Sequence, residues 1–151
     1  GARTSSLERV RFTADGALVQ VTSGGRVSML RRDGGLVATW PSTEAVIEAG
    51  DDWFVDARLR LSLLDGGVGR TVPSPGGDPI FVSASPNSRC LAVLSRVGKL
   101  AVSDDDGGVV SLVLPVMPRH LSWSSHGTFV LVGSETQVRV IDPGLPACRG
   151  R

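Results

Sequence analysis

The sequence is poor in the residues and patterns on which metal and membrane sites depend. Its 151 residues include two cysteines and two histidines, and neither pair has the C-x-x-C or H-x-x-x-H spacing of a zinc site. The longest apolar stretches, such as residues 112–114, fall far short of the roughly 20 residues of a membrane helix. Residues 1–6 contain no apolar segment of a signal peptide. We therefore expect a soluble globular chain without a membrane span, metal ion or cofactor.

Cysteine usage and charge add little about location or partners. Cys90 falls between a turn and a strand, far in sequence from Cys148. We interpret both as free structural thiols, with Cys90 a small buried hydrophobic residue. Localisation is only weakly constrained, with a slight preference for the cytoplasm. The net charge of +1 makes a nucleic-acid partner an unfavoured interpretation.

The most informative pattern is a strand-turn-strand motif that recurs about every 37 residues. Phe12 before Asp15-Gly16 corresponds, 111 residues later, to Trp123 before His126-Gly127. The triplet at 33–35 likewise returns as Asp106-Gly107-Gly108, 73 residues later. Periods of this length are typical of stacked supersecondary units that bury their apolar faces only against one another. We expect Phe12 and Trp123 to be equivalent buried residues.

Each repeat contains the signals of a small antiparallel sheet. In the first repeat, alternating apolar residues predict strands over 8–13, 17–22, 26–31 and 36–40. The separators are rich in glycine and aspartate, which favour hairpin turns. We expect tight turns at Gly16, Gly34, Gly107 and Gly127, with positive φ at Gly34 and Gly107. Such a four-stranded meander is the content of one propeller blade.

The predicted organisation is an N-terminal extension (1–7), propeller blades over 8–142 and a C-terminal tail (143–151). The four repeats span 8–40, 43–72, 80–114 and 119–142. In the degenerate second repeat, Leu59 is assigned to the third strand, and residues 42–48 also fit a single helical turn. Residues 73–79 are too rich in proline for a strand and are interpreted as a loop or hinge.

The third and fourth repeats resemble blades of the WD-repeat family. Residues 85–88 followed by 90–94, and 121–127 followed by 129–134, match its Ser-Pro-Asp-Gly-like turn and the next strand. Residues 137–142 resemble its third strand, with Ile141 at the tryptophan position. No repeat has the family's Gly-His or Trp-Asp pairs, so the resemblance concerns architecture. It implies an all-β fold of about four antiparallel four-stranded blades, in a partial or small β-propeller.

The fourth repeat stops after three strands, which leaves two interpretations of the assembly. The chain is either part of a larger propeller or a compact four-bladed one. A free-standing β-sandwich or barrel is a third fold, which abandons the repeat alignment. In the first case, we expect residues 119–142 and the start of the first repeat to be covered by further blades or a partner subunit, and the isolated chain to be poorly soluble or oligomeric.

Two clusters invite functional interpretations that their positions in the repeat do not favour. The acidic run at 103–108 aligns with a hairpin turn and lacks the alternating ligands of a calcium loop, so a solvated turn is favoured. His126 with Ser124, Ser125 and Asp142 suggests a catalytic triad, but His126 occupies the Asp15 turn position and no G-x-S-x-G motif is present. His120, which precedes a strand, is interpreted as structural. We therefore expect no enzymatic activity.

The remaining candidate is a basic patch in the first repeat, which could pair with acidic groups of a partner. The functional hypothesis is a non-catalytic β-propeller segment acting as a protein-protein interaction scaffold within a larger protein or complex. Its partners would be other protein subunits or the rest of a larger propeller. The alternative is a ligand-binding or gating propeller domain of a hydrolase or solute-binding protein. The patch consists of Arg9, Arg11, Arg26, Arg31 and Arg32.

Overall fold

A computed structural model gives the fold of the chain. It describes residues 7–12, 18–22, 26–41, 46–50, 53–63 and 69–150, and within these ranges the side chains of 7–12, 18–22, 26, 41 and 46 are left aside. By backbone contacts the chain divides into two compact units, Gly1–Arg70 and Thr71–Arg151. No helix among the described residues is long and apolar enough to span a membrane.

In the described part of the chain, fifteen strands form four antiparallel sheets, each a meander of consecutive strands. Three sheets have four strands and sheet 4 has three, as the truncated fourth repeat predicts. Sheet 1 contains β1 (Leu7–Phe12), β2 (Leu18–Thr22), β3 (Arg26–Leu30) and β4 (Leu36–Pro41). Sheet 2 contains β5 (Val46–Ala49), β6 (Trp53–Asp56), β7 (Arg60–Leu63) and β8 (Arg70–Thr71). Sheet 3 contains β9 (Pro79–Ala84), β10 (Cys90–Ser95), β11 (Lys99–Asp104) and β12 (Val109–Val113), and sheet 4 contains β13 (His120–Trp123), β14 (Val130–Gly133) and β15 (Val138–Ile141).

The turns confirm the positive φ angles expected at the repeated glycines. Gly34 has φ +89° and Gly107 has φ +93°. Each lies in the turn after the third strand of its sheet, and the two turns are closed by the same type of backbone hydrogen bond. The Arg31 N–H donates to the Gly35 carbonyl at 2.8 Å, and the Asp104 N–H donates to the Gly108 carbonyl at 2.9 Å. Gly127 also has positive φ, whereas Gly16 lies outside the described residues.

Sheet 2 differs from the sequence prediction at Leu59. This residue is in the turn between β6 and β7 with φ +60°, and its side chain is buried. The buried Asp56 carboxylate holds the turn by accepting the N–H groups of Arg58 and Arg60, at 2.9 and 3.1 Å. Burial of the leucine side chain offsets the cost of a backbone conformation that favours glycine.

Two further boundaries are corrected. The helical turn proposed at 42–48 is wrong for its last residues, because Val46–Ala49 is strand β5, and residues 42–45 lie outside the description. The proline-rich connection, predicted over 73–79, ends one residue earlier because Pro79 is the first residue of β9. A proline at the first residue of a strand removes no essential ladder hydrogen bond.

Each unit has its own apolar core. In the first unit, Val27, Ala49 and Phe54 are buried together, and Met29 and Trp40 pack against them. The second unit has a larger core between sheets 3 and 4, in which β10 is buried along its whole length. A strand buried on both faces has a continuous apolar sequence, which residues 90–94 show. The core residues of the second unit are Cys90, Ala92, Leu94, Leu100, Val102, Leu114, Val130, Val132 and Cys148.

Candidate functional site

The meander connections of sheets 3 and 4 alternate between two edges of the second unit. One edge, here called the strap edge, carries the turns after β9, β11 and β13 and the segment 143–150 that follows β15. The opposite edge, here called the groove edge, carries the connections after β10, β12 and β14. Loops at such edges are exposed, and the sheets fix their positions. Binding sites are therefore often formed by these loops.

The strap edge is closed by a disulfide bond, which corrects the prediction of two free thiols. Cys90 and Cys148 are bonded, with their Cα atoms 5.3 Å apart, and both are fully buried. Cys90 begins β10 in sheet 3, whereas Cys148 lies in a short 3-10 helix, Pro146–Cys148, after sheet 4. The bond therefore fastens the segment 143–150, here called the strap, to the core between the two sheets.

Hydrogen bonds and packing hold the strap along its length. The Asn87 side-chain amide donates to the carbonyls of Ala147 and Arg149, at 2.8 and 3.3 Å. The Gly150 N–H donates to the His126 carbonyl at 3.1 Å. Leu145 and Ala147 pack on the core. Gly127 lies so close that a Cβ there would be 2.0 Å from the Cys148 carbonyl oxygen. The strap edge thus leaves little room for a ligand.

The acidic run at 103–108 forms the β11–β12 turn, as predicted, but its first carboxylate is not solvated. Asp104 is buried, and its Oδ1 accepts the N–H groups of Asp106 and Gly108 at 3.0 and 2.6 Å. Asp105 and Asp106 are exposed and pair with Arg89. The hydrogen bond and the charge of Asp105 raise the pKa of Arg89 above its ordinary value, so Arg89 keeps its charge. These carboxylates stabilise the turn.

Two of the groups considered for a triad, Ser124 and Asp142, make separate local contacts. The Ser124 Oγ accepts the Phe129 N–H at 3.0 Å, which closes the β13–β14 turn. The Asp142 carboxylate accepts the Gly144 N–H at 2.8 Å and pairs with Arg149 at 3.4 Å. His126 is an exposed turn residue, as is Ser125. His120, also exposed, is opposite Gly133 in the ladder of sheet 4.

The groove edge contains an open cavity of about 580 Å³ between the connections of sheets 3 and 4. Its apolar lining includes the partly buried Val116, which packs on the core, and Met117, whose side chain is 71% exposed. The lining residues are Ile80, Arg96, Pro115, Val116, Met117, Pro118, Arg119, Ser134, Glu135, Thr136 and Gln137. A concave apolar surface with a few polar groups is typical of binding sites.

Charge at the groove is mixed, with a positive excess. Arg119 forms an exposed ion pair with Glu135 across the groove. The Arg96 side chain is exposed, and no ion pair involves it among the described residues. This combination fits a partner that presents an apolar side chain beside a carboxylate. Sequence reasoning missed the groove; its one signal is the pair of prolines, Pro115 and Pro118, around a methionine.

The basic patch of the first repeat is described only in part. Arg31 and Arg32 are exposed in the β3–β4 turn, and Arg31 lies 3.9 Å from the Asp33 carboxylate. The side chains of Arg9, Arg11 and Arg26 are outside the described residues. A partner-facing role for the five arginines stays a prediction.

Comparison with known proteins identifies the fold through solved structures. No family model and no curated protein matches the sequence. BBS1N, solved in complex with ARL6DN, is similar, with a TM-score of 0.68, 15% identity and coverage of 93% of this chain and 53% of that one. The C-terminal WD40 domain of Sif2 has a TM-score of 0.66 and 15% identity, over 92% of this chain and 46% of that one. Virginiamycin B lyase from Staphylococcus aureus has a TM-score of 0.60 and 13% identity, over 95% and 57%.

These neighbours are β-propellers, and the chain spans about half the length of each. The all-β fold of small antiparallel sheets is accordingly that of a partial β-propeller, which confirms the architecture that the WD-repeat resemblance predicts. Sequence identity this low shows a shared fold only, and proteins with the same fold can have unrelated functions.

Proposed function

We propose that the chain is a non-catalytic β-propeller segment that acts as a protein-protein interaction scaffold within a larger protein or complex. The observation that carries the proposal is the groove at the edge of sheets 3 and 4, which is lined by the exposed Met117 and by the exposed Arg96, a residue without an ion pair among the described residues. Methionine adapts to varied apolar partners, and arginine is enriched at the centres of protein interfaces. The packed sheets behind the groove hold both residues on a rigid support.

Two further observations support an interaction role. One structural neighbour, BBS1N, is solved in a complex with another protein, ARL6DN. The Ser124 hydroxyl and the Asp142 carboxylate, two of the groups that suggested a triad here, take part in turn and strap contacts. A scaffold requires no acid, base or nucleophile, so this arrangement suits it.

The groove is tested by site-specific photo-crosslinking in cells that make the protein natively. A benzoylphenylalanine at Met117 should give discrete protein adducts, and Arg96→Glu should reduce them several-fold because it reverses a charge in the lining of the same groove. The matched control places the same probe at Val113, which is also 71% exposed but lies on strand β12. Absence of adducts at Met117, or equal adducts at both positions, would reject the groove as a protein-binding site.

The alternative is a ligand-binding propeller domain, favoured by one specific observation. The groove volume of about 580 Å³ falls within the range of small-molecule sites, roughly 300–1,000 Å³. Virginiamycin B lyase, a structural neighbour, has been solved with quinupristin. Titration of this chain with quinupristin should show no saturable binding if the scaffold proposal is right. Saturable binding that Arg96→Glu or Met117→Ala weakens would favour the alternative.

A further inference from the structure

Three connections form the walls of the groove, and backbone contacts join them to one another. The Leu114 N–H, at the start of the β12–β13 connection, donates to the Gly98 carbonyl of the β10–β11 turn at 2.8 Å. A Cβ at Gly98 would be 2.4 Å from the Leu114 carbonyl oxygen, so these two walls pack closely. The Arg119 N–H donates to the Gly133 carbonyl at 2.7 Å, which joins the β12–β13 connection to the end of β14. The groove is therefore a fixed cleft.

The β10–β11 turn fixes the backbone that carries Arg96. The Arg96 N–H donates to the Asp78 carbonyl at 3.1 Å, and the Gly98 N–H closes the turn by donating to the Ser95 carbonyl at 3.1 Å. The Oγ of the fully buried Ser95 also accepts the Lys99 N–H at 3.1 Å. Arg96 thus lines the groove from a turn whose position is set by the core of sheet 3.

The walls offer few backbone donors to a ligand. Pro115 and Pro118 have no N–H group. On the β14–β15 connection, the N–H groups of Thr136 and Gln137 donate to the Ser134 Oγ at 3.4 and 3.2 Å. A peptide that binds as an added strand needs a row of free backbone donors and acceptors, so the groove is better suited to a ligand that side chains recognise.

The charged side chains of the lining are two arginines and one glutamate, an excess of one positive charge. Arg119 forms an exposed ion pair with Glu135, so one guanidinium already has an acidic neighbour. Arg96 has no ion pair within the described part of the chain. Charge complementarity therefore favours an acidic ligand, with Arg96 as its donor and Glu135 as a competing carboxylate.

The size of the groove favours a short segment over the surface of a folded domain. Eleven described residues line it, whereas a standard protein interface involves roughly 20–30 residues a side. Its volume of about 580 Å³ has room for a few side chains. The partly buried Val116 and the exposed Met117 supply the apolar surface against which one of them can pack.

We propose that the groove binds a short extended segment of the partner protein in which an apolar residue is next to an aspartate or glutamate. The apolar side chain packs against Val116 and Met117, and the carboxylate accepts hydrogen bonds from the Arg96 guanidinium. The inference rests on the proposed scaffold function and names the chemistry of its partner at the same site.

Selection of short random peptides by display on the purified chain tests the proposal. The recovered peptides should contain an aspartate or glutamate next to an apolar residue. Their affinity, measured by fluorescence anisotropy, should fall about fivefold in Arg96→Gln, which is the loss expected for one exposed ion pair. The matched control, Arg32→Gln, removes the same charge from the exposed β3–β4 turn and should leave the affinity unchanged.

Glu135→Gln tests the same charge argument in the opposite direction. The variant removes the acidic neighbour of Arg119 and so makes the groove more positive by one charge. The recovered peptides should therefore bind about twofold more tightly. Equal or weaker binding would overturn the acidic partner. Glu135 is exposed, so this change should not affect folding.

The remaining outcomes separate this inference from the scaffold function. A selection that recovers no peptide, peptides without an acidic preference, or peptides that bind Arg96→Gln unchanged would overturn the acidic partner. If discrete adducts form at Met117 in that case, the groove remains a protein-binding site whose partner has a different chemistry. Absence of adducts at Met117 would instead reject the scaffold function at the groove, and the acidic partner with it.

Discussion

Reduction of the Cys90–Cys148 disulfide is expected to lower the free energy of unfolding of the second unit by about 4 kcal/mol. The bond closes a loop with a sequence separation of 58, and a cross-link of that span restricts the unfolded chain by about this amount. Its loss would also release the strap from the buried end of β10. Urea unfolding with and without a phosphine reductant, followed by tryptophan fluorescence, measures the difference.

The control for the disulfide is the variant Cys90→Ala/Cys148→Ala, which should be less stable than the oxidised protein and insensitive to reductant. Equal stability of the wild type with and without reductant would show that the bond does not form. Structural disulfides persist in oxidising compartments, so this bond does not support the slight preference for the cytoplasm drawn from the sequence.

Truncation of Trp123 to alanine should destabilise the second unit by about 3 kcal/mol. The ring packs against the core between sheets 3 and 4, and its Nε1–H donates to the Ser83 carbonyl of β9 at 2.9 Å. Trp123 therefore joins the first strands of two successive sheets, and its side chain is partly buried rather than fully buried. Chemical denaturation of the variant measures the loss.

Trp123→Phe is the matched variant, since it keeps most of the packing and removes the hydrogen bond. It should cost about 1 kcal/mol. An alanine variant within about 0.5 kcal/mol of the wild type would mean that the ring contributes no packing, contrary to the alignment. The side chain of Phe12, its predicted equivalent in the first repeat, lies outside the described residues, so that half of the expectation stays a prediction.

Local sequence signals were sufficient for the strands and turns. The alternation of apolar residues and the Asp-Gly-Gly triplets predict the four strands of sheet 1 and the turns at Gly34 and Gly107, because these features depend on neighbouring residues. The missing strand of sheet 4 was visible for the same reason: no apolar alternation follows Ile141. Because these strand and turn signals repeat along the sequence, they also predict an architecture of several similar sheets.

Features that depend on distant segments could not be predicted. The pairing of Cys90 with Cys148 requires the strap to return over the β9–β10 turn, and no spacing rule encodes that path. Leu59 fits the apolar alternation of a strand. In the structure, however, the Asp56 carboxylate accepts the N–H groups of Arg58 and Arg60 and so stabilises a turn, while the Leu59 side chain is buried. The groove arises from three connections that are adjacent only after folding.

The central claim about the fold is that sheet 4 repeats the strand register of sheet 3, so that the two sheets are successive blades of one propeller. Cross-strand nuclear Overhauser effects between backbone protons test this directly. We expect contacts that pair Leu131 with Val140 and Gly133 with Val138, in parallel with Ala92–Val102 and Leu94–Leu100. A register shifted by one residue in sheet 4 would turn Val138 and Val140 into the core and contradict the account.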